Sequence, residues 1–243
     1  LDHSLPLLQP EKVRDEAFLA EISALDLDLA IVVAFGQIFS RRLLDLPRAG
    51  CMNLHASLLP AYRGAAPIQA AIAAGDRVTG VTTMRMEAGL DSGPILLTRT
   101  LEIGEQETAG ELSPRLAALG AELVLETIAG LERGEVTPRA QDDTLATFAP
   151  RLTREAGRVD WSLSALTLAL RYRAYTPWPG LTAEFRGEPV KLFGCRVASG
   201  AEGDSPSDTP VGTYLGVSDG ALWIACGEQT RLGISSLQRA GRR

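Results

Sequence analysis

Leu29-Ala30-Ile31-Val32-Val33-Ala34-Phe35-Gly36, followed after a short gap by Cys51-Met52-Asn53-Leu54-His55, is the stretch on which the fold turns. The first run is continuously apolar and reads as a strand buried on both faces, ended by Gly36. A short helix is predicted around Ser40 to Leu44, Pro47 and Gly50 punctuate the chain, and Cys51 to His55 is the next strand. Strand, helix, strand at this spacing is a parallel βαβ unit, which places the chain in the α/β class.

Upstream, residues 11 to 25 carry Val13, Ala17, Phe18, Ala20, Ile22 and Leu25 at mostly helical spacing. Downstream, Gly64-Ala65-Ala66-Pro67-Ile68 opens a helix to about Ala74. Strands are expected at Val78 to Met86 and Pro94 to Ile103, then an Ala/Leu-rich helix from about Thr108 to Arg133, ended by Gly134. A first domain is therefore expected over residues 1–136. Residues 137–155 are polar, hold Pro138 and Pro150, and read as a linker. In a second domain over 156–243, Ser162 is expected to cap a helix to Arg173, stopped by Pro177-Trp178-Pro179-Gly180. Runs at Pro189 to Val197, Val211 to Val217 and Ala221 to Ala225, separated by turn residues, predict a small β-barrel. Ser199 to Pro210 reads as a long hairpin loop, and Trp161 and Trp178 as core of this module.

The chain has 243 residues, 45% hydrophobic and 22% charged, an ordinary globular composition that excludes disordered and fibrous classes. No apolar run approaches the roughly 20 residues needed to span a bilayer, and the start lacks a signal-peptide layout, so cytoplasmic residence and no membrane partner are expected. Cys51, Cys195 and Cys226 are too few and too far apart for a disulfide framework or a zinc site, so no metal is expected. Only 2 of the 24 basic residues are Lys, which is read as compositional bias. The net charge of −6 divides into −9 over residues 1–150 and +3 over residues 151–243. A basic second domain fits a polyanion-facing surface, and equally a merely solvated one.

Asn53 is the only asparagine and His55 one of two histidines. In a strand, residues i and i+2 face the same way, so amide and imidazole project side by side. Ligands of open parallel α/β sheets bind outside the carboxyl ends of the strands, where this pair falls. Downstream, Met86-Glu87-Ala88-Gly89-Leu90-Asp91-Ser92-Gly93-Pro94 places one carboxylate between glycines expected to supply positive φ and close backbone approach. Together these form a candidate constellation. Asn53 donates to a developing oxyanion, His55 donates or shuttles a proton, and Asp91 tunes His55 or accepts a proton. Plainer readings stay open: a structural histidine at His55, an Asx-type turn at Asp91 and a strand-end cap at Asn53. No nucleophile elbow, G-x-G-x-x-G, P-loop or H-E-x-x-H motif is present, so direct transfer is favoured over a covalent route.

The string Asn53-Leu-His55-Ala-Ser-Leu-Leu-Pro-Ala-Tyr62-Arg63-Gly64-Ala-Ala-Pro67-Ile-Gln69, with Gly80-Val-Thr-Thr-Met, Gly89-Leu-Asp91-Ser-Gly93, Ala34-Phe-Gly-Gln-Ile38 and Arg158-Val-Asp-Trp-Ser162, resembles the folate-dependent formyltransferases. Arg63 to Gln69 and the C-terminal module point to the branch acting on methionyl-tRNA. The resemblance implies a Rossmann-like formyltransferase domain followed by an OB-like tRNA-binding barrel. It implies transfer of the formyl group of 10-formyltetrahydrofolate to the α-amino group of methionine on initiator tRNA. It assigns Asn53, His55 and Asp91 to catalysis, and Phe35, Gly36, Gln37, Ile38, Ser57, Leu58, Leu59 and Pro60 to the folate site. Arg151, Arg154, Arg158, Arg171 and Arg173 are the candidate tRNA phosphate contacts. Relative to the family the chain begins past a first strand, helix and acceptor-end loop and stops short of a C-terminal tail. An uncovered sheet edge is thus expected, and activity is expected of the full-length protein. A monomer is the default expectation. Two rival readings remain: a relative acting on an amino-sugar nucleotide, and a non-catalytic folate- or RNA-binding remnant.

Overall fold

A computed structural model describes residues 5–198 and 208–239. The chain divides into two compact units, residues 1–64, 80–99 and 119–148 in one and 65–79, 100–118 and 149–243 in the other. The expected hairpin loop at Ser199 to Pro210 falls mostly outside the described residues.

Helix α1 (Glu16–Ala24) leads into strand β1 (Ala30–Val33), helix α2 (Arg41–Leu44) and strand β2 (Cys51–His55). Ser40 caps α2 by accepting the Leu43 N–H, and β1 pairs with β2 in parallel, Ala30 opposite Cys51 and Val33 opposite Leu54. The expected βαβ unit is therefore present. A two-residue strand β3 (Arg63–Gly64), helix α3 (Pro67–Ala74), strands β4 (Val78–Arg85) and β5 (Ile95–Glu102) and the long helix α4 (Ala109–Glu132) follow. Pro67 stands in the first turn of α3, where its missing N–H costs nothing. Before α4, Thr108 and Glu111 form a capping box: the Thr108 N–H donates to Glu111 Oε2 and the Glu111 N–H to Thr108 Oγ1.

The sheet order is β1-β2-β4-β5. It is mixed, because β4 runs antiparallel to β2, with Asn53 opposite Met84 and His55 opposite Thr82. Two corrections to the sequence reading follow. First, the apolar run of β1 is covered on one face only, with Val32 buried but Ile31 44% and Val33 54% exposed, while its place at the sheet edge agrees with the uncovered edge expected. An unbroken apolar run carries no period that tells one covered face from two. Second, Gly89 and Gly93 do not supply the positive φ of the 86–94 turn; Asp91 itself does, at +47°. Gly93 serves close approach, since a Cβ there would lie 1.8 Å from the Arg85 carbonyl oxygen.

A short strand β6 (Phe148–Ala149) falls at the division between the units, and in the second unit it is followed by helix α5 (Ala165–Tyr175). Strands β7 (Leu181–Phe185), β8 (Glu188–Phe193), β9 (Arg196–Val197), β10 (Tyr214–Ser218), β11 (Ala221–Ala225), β12 (Arg231–Ile234) and β13 (Ser236–Arg239) complete it. They form sheets β13-β8-β7 and β10-β11-β12-β9. The stretches β8–β9 and β12–β13 each cross from one sheet to the other, and the crossing points are tied by the Ser235 N–H to the Phe193 carbonyl at 3.0 Å. These shared bent strands wrap the sheets round one core of Leu168, Leu181, Val190, Leu192, Ile224, Leu232 and Ile234, the barrel-like module expected.

The cap of α5 is Ser164, accepting the Thr167 N–H, whereas Ser162 is held in a turn by Asp160, which accepts both its N–H and its hydroxyl. Trp161 packs against the core, but Trp178, between Pro177 and Pro179, is 51% exposed.

Candidate active site

Leu54 faces α4, where a Cβ on Gly120 would lie 2.6 Å from its side chain. Strand alternation therefore puts Asn53 and His55 together on the opposite face of β2. Asn53 is half-buried and His55 only 5% exposed. His55 Nε2 lies 2.9 Å from the carbonyl oxygen of Tyr62, which can only accept, so Nε2 carries a hydrogen. Its other nitrogen, Nδ1, faces Asp91 Oδ2 at 3.7 Å, wider than a direct hydrogen bond. Asp91 Oδ2 in turn accepts the Gly64 N–H at 2.8 Å. The segment Tyr62–Gly64 thus grips both chemical groups, one by a carbonyl and the other by an amide hydrogen.

Tyr62 (φ +60°) and Asp91 (φ +47°) both adopt left-handed backbone, a conformation costing of order 1–3 kcal/mol in a non-glycine residue. The Asp91 turn is pinned from the third side by Gln141, whose Nε2 donates to the Asp91 and Gly93 carbonyls at 2.8 and 2.7 Å. Gln141 Oε1 accepts from Arg63 Nε and Nη2 at 3.0 and 2.7 Å, and Arg63 Nη2 also reaches Asp143 Oδ1 at 2.7 Å. Sequence reading missed these supports. Tyr62 and Gly64 act through backbone atoms that any residue possesses, and Gln141 sits in a polar stretch with no periodic signal.

Because Val33 stands beside Leu54, the segment leaving β1 begins next to the His55 end of β2. There Phe35 is 48% and Ile38 91% exposed, and nothing lies within 4 Å of a Cβ built on Gly36. Such uncovered apolar surface suits a flat aromatic ring. Gln37 is otherwise engaged: its side chain accepts the Val13 N–H at 3.1 Å and donates to the Glu11 carbonyl at 3.3 Å. Ser57 and Leu59 point inward. Ser57 is fully buried with its hydroxyl on the Ala61 carbonyl, and Leu59 packs with Met84 and Ile95. Thr82 ties both down, donating to the Ser57 carbonyl and accepting the Leu59 N–H. Leu58 and Pro60 are half-buried.

Of the five arginines, Arg151, Arg154 and Arg158 are exposed, with Arg158 Nη2 4.0 Å from Glu184. Arg171 is half-buried. Arg173 is committed internally: Nε donates to the Glu107 carbonyl and Nη2 to the Gly104 carbonyl, both at 3.0 Å, and burial lowers its pKa. No group of three or more His, Cys, Asp or Glu side chains able to hold a metal occurs among the described residues. No described helix is long and apolar enough to cross a membrane.

Comparisons with known proteins identify the family. Residues 2–128 fit the family described as formyl transferase, and residues 151–243 its C-terminal domain. A methionyl-tRNA formyltransferase of Pseudomonas fluorescens SBW25 is 46% identical over 241 residues, 99% of this chain and 74% of the relative. Among solved structures, HypX from Aquifex aeolicus in complex with tetrahydrofolic acid superposes with a TM-score of 0.66 at 22% identity, over 91% of this chain and 38% of that one. The sugar 3N-formyl transferase WlaRD superposes with a TM-score of 0.65 at 16% identity, over 88% of this chain and 73% of that one. At those identities the structural likenesses speak for the fold alone, whereas the matched sequence families and the 46% relative carry kinship: this chain belongs to the formyl transferase family, on its methionyl-tRNA formyltransferase branch.

Proposed function

We propose that this chain transfers the formyl group of 10-formyltetrahydrofolate to the α-amino group of methionine on initiator tRNA, supporting translation initiation. The observation that carries the reading is the meeting of His55 Nδ1 and Asp91 Oδ2 across 3.7 Å, on the face of β2 that also bears Asn53. Bound 10-formyltetrahydrofolate supplies the activated formyl carbon.

The chain's own groups manage charge and protons. As the amine nitrogen bonds to the formyl carbon, negative charge builds on the formyl oxygen, and the Asn53 amide is the donor for it. With Nε2 fixed on the Tyr62 carbonyl, His55 has only Nδ1 free to carry a proton toward the reacting centre. Asp91 Oδ2 takes the one proton the amine sheds, and that same proton passes by way of His55 Nδ1 to the departing nitrogen as the old C–N bond breaks. Burial of His55 excludes the water that would compete for the formyl group.

The uncovered surface at Phe35 and Ile38, with Gly36 between them, supports a folate seat there; the half-buried Leu58 and Pro60 are proposed to line it, with Ser57, Leu59 and Gln37 acting as internal supports. Arg151, Arg154 and Arg158 are the exposed cations proposed to meet tRNA phosphates, and the half-buried Arg171 is a further candidate. The proposed organisation is a catalytic domain over 1–136, a linker over 137–155 and a tRNA-binding OB-like barrel over 156–243. Cytoplasmic residence as a monomer completes the reading.

Single-turnover transfer from 10-formyltetrahydrofolate to methionyl initiator tRNA tests it, comparing the full-length protein with its His55→Ala variant. Transfer that collapses in the variant is expected. Folate binding without transfer to tRNA would overturn the tRNA assignment, and formylation of an amino-sugar nucleotide instead would select that rival.

A further inference from the structure

We infer that Gln141 is a positioning residue for the Asp91 carboxylate, a role that rests on the formyl-transfer reading of the site. Its orientation is fixed by chemistry: Nε2 faces the Asp91 and Gly93 carbonyls and the Met84 sulfur, all acceptors, while Oε1 faces Arg63 Nε and Nη2, which only donate. A flipped amide would set like against like at every contact. Arg63 is 5% exposed, so the guanidinium that anchors Gln141 is held rigidly, and its backbone neighbours Tyr62 and Gly64 are the groups that hold His55 and Asp91.

The need for such a clamp is local. Asp91 sits in left-handed backbone at φ +47°, and its main chain without support would relax toward an ordinary conformation, carrying Oδ2 away from Gly64 N and His55 Nδ1. Two hydrogen bonds from one amide to carbonyls on either side of Ser92 oppose that relaxation. Gln141 touches neither the imidazole nor the carboxylate and acts through backbone position alone.

The test is Gln141→Glu beside Gln141→Ala in the full-length protein. Glutamate keeps an oxygen for Arg63 and removes the N–H groups that hold the turn, so a role limited to partnering Arg63 is rescued by it and a positioning role is not. Both variants are expected to lower kcat about ten-fold or more, with KM for folate and for tRNA within about two-fold. In an Asp91→Asn background, Gln141→Ala is expected to cost less than about two-fold, because the group it positions is gone. The Gly64 amide proton, deshielded by Asp91 Oδ2, is expected to move upfield in Gln141→Glu; this resonance reads the hydrogen bond without turnover, so an inactive wild type would sink the formyl-transfer reading and leave the Gln141 question decidable. Full kcat in Gln141→Glu, an undiminished cost in the Asp91→Asn background, or an unmoved Gly64 resonance would overturn the inference.

Discussion

The carbonyl oxygen of Tyr62 lies 2.9 Å from His55 Nε2, and this one contact decides which edge of the imidazole is available for chemistry. A backbone carbonyl cannot donate, so the ring is oriented by an interaction that no side-chain substitution at Tyr62 removes. Replacing His55 by Gln keeps a donor for Tyr62 but loses the titratable Nδ1. A fall in kcat of about 100- to 10,000-fold is expected for His55→Gln, with tRNA and folate binding retained. Asp91→Asn is expected to fall in the same range, since an amide cannot take the amine's proton. Rapid-quench measurement of formyl-methionyl-tRNA checks both, and near wild-type turnover in either variant would remove that residue from the chemistry.

Asn53 has a different role and a different expected signature. A donor to developing charge acts only in the transition state, so Asn53→Ala is expected to lower kcat about 100- to 1,000-fold with little change in KM. Steady-state kinetics with saturating methionyl-tRNA separates this from a binding defect, which raises KM at constant kcat.

How much of this was legible in the sequence follows from the kind of signal each residue leaves. Cys51–His55, Pro67–Ala74 and Ala221–Ala225 fall where apolar runs and Gly/Pro punctuation put them. That β1 is covered on one face only did not show in its residues, since Ile31 and Val33 are apolar whether or not anything covers them; the uncovered edge was expected only from the resemblance. Ser162 and Ser164 compete for the same cap, and only the capture of Ser162 by Asp160 decides it. At the site, unusual residue types singled out Asn53 and His55. Their supports, the Tyr62 carbonyl and the Gly64 N–H, have no sequence signature because every residue except proline offers both groups.

The arginines should divide under salt titration. Arg151, Arg154 and Arg158 are exposed, and replacing any one that neutralises a phosphate is expected to reduce the slope of log affinity against log salt by about one. Arg173 binds carbonyls of its own unit at Gly104 and Glu107, so Arg173→Ala is expected to lower the melting temperature instead, leaving the slope unchanged. tRNA filter binding across a salt series, with a thermal melt of each variant, distinguishes the two behaviours.

All three thiols should be silent in the native protein. Burial pushes Cys51 and Cys226 up to about 11 and Cys195 up to about 12, so the reactive thiolate is scarce at neutral pH. Because the folded values lie above the unfolded ones, the stability these groups contribute is complete below about 9 and is lost as pH rises through about 11 to 12. A disulfide reagent at pH 8 is expected to label no thiol before urea is added and three after. A rapidly labelled native thiol would contradict its burial.

Gly80 supplies a sharper test of the sheet that carries the site. A Cβ there would lie 2.1 Å from the Arg99 carbonyl oxygen and 2.5 Å from the Leu58 side chain. The carbonyl belongs to strand β5 and cannot step aside without breaking the β4–β5 ladder, and Leu58 lies in the segment proposed to line the folate seat. Gly80→Ala is therefore expected to destabilise the protein by about 1–3 kcal/mol and to raise KM for the formyl donor. Gly36→Ala is the control for stability alone, because nothing stands within 4 Å of the added methyl group. Urea denaturation of the two variants side by side checks the contrast: equal midpoints would mean that β4 and β5 do not approach as closely at Gly80 as the structure has them.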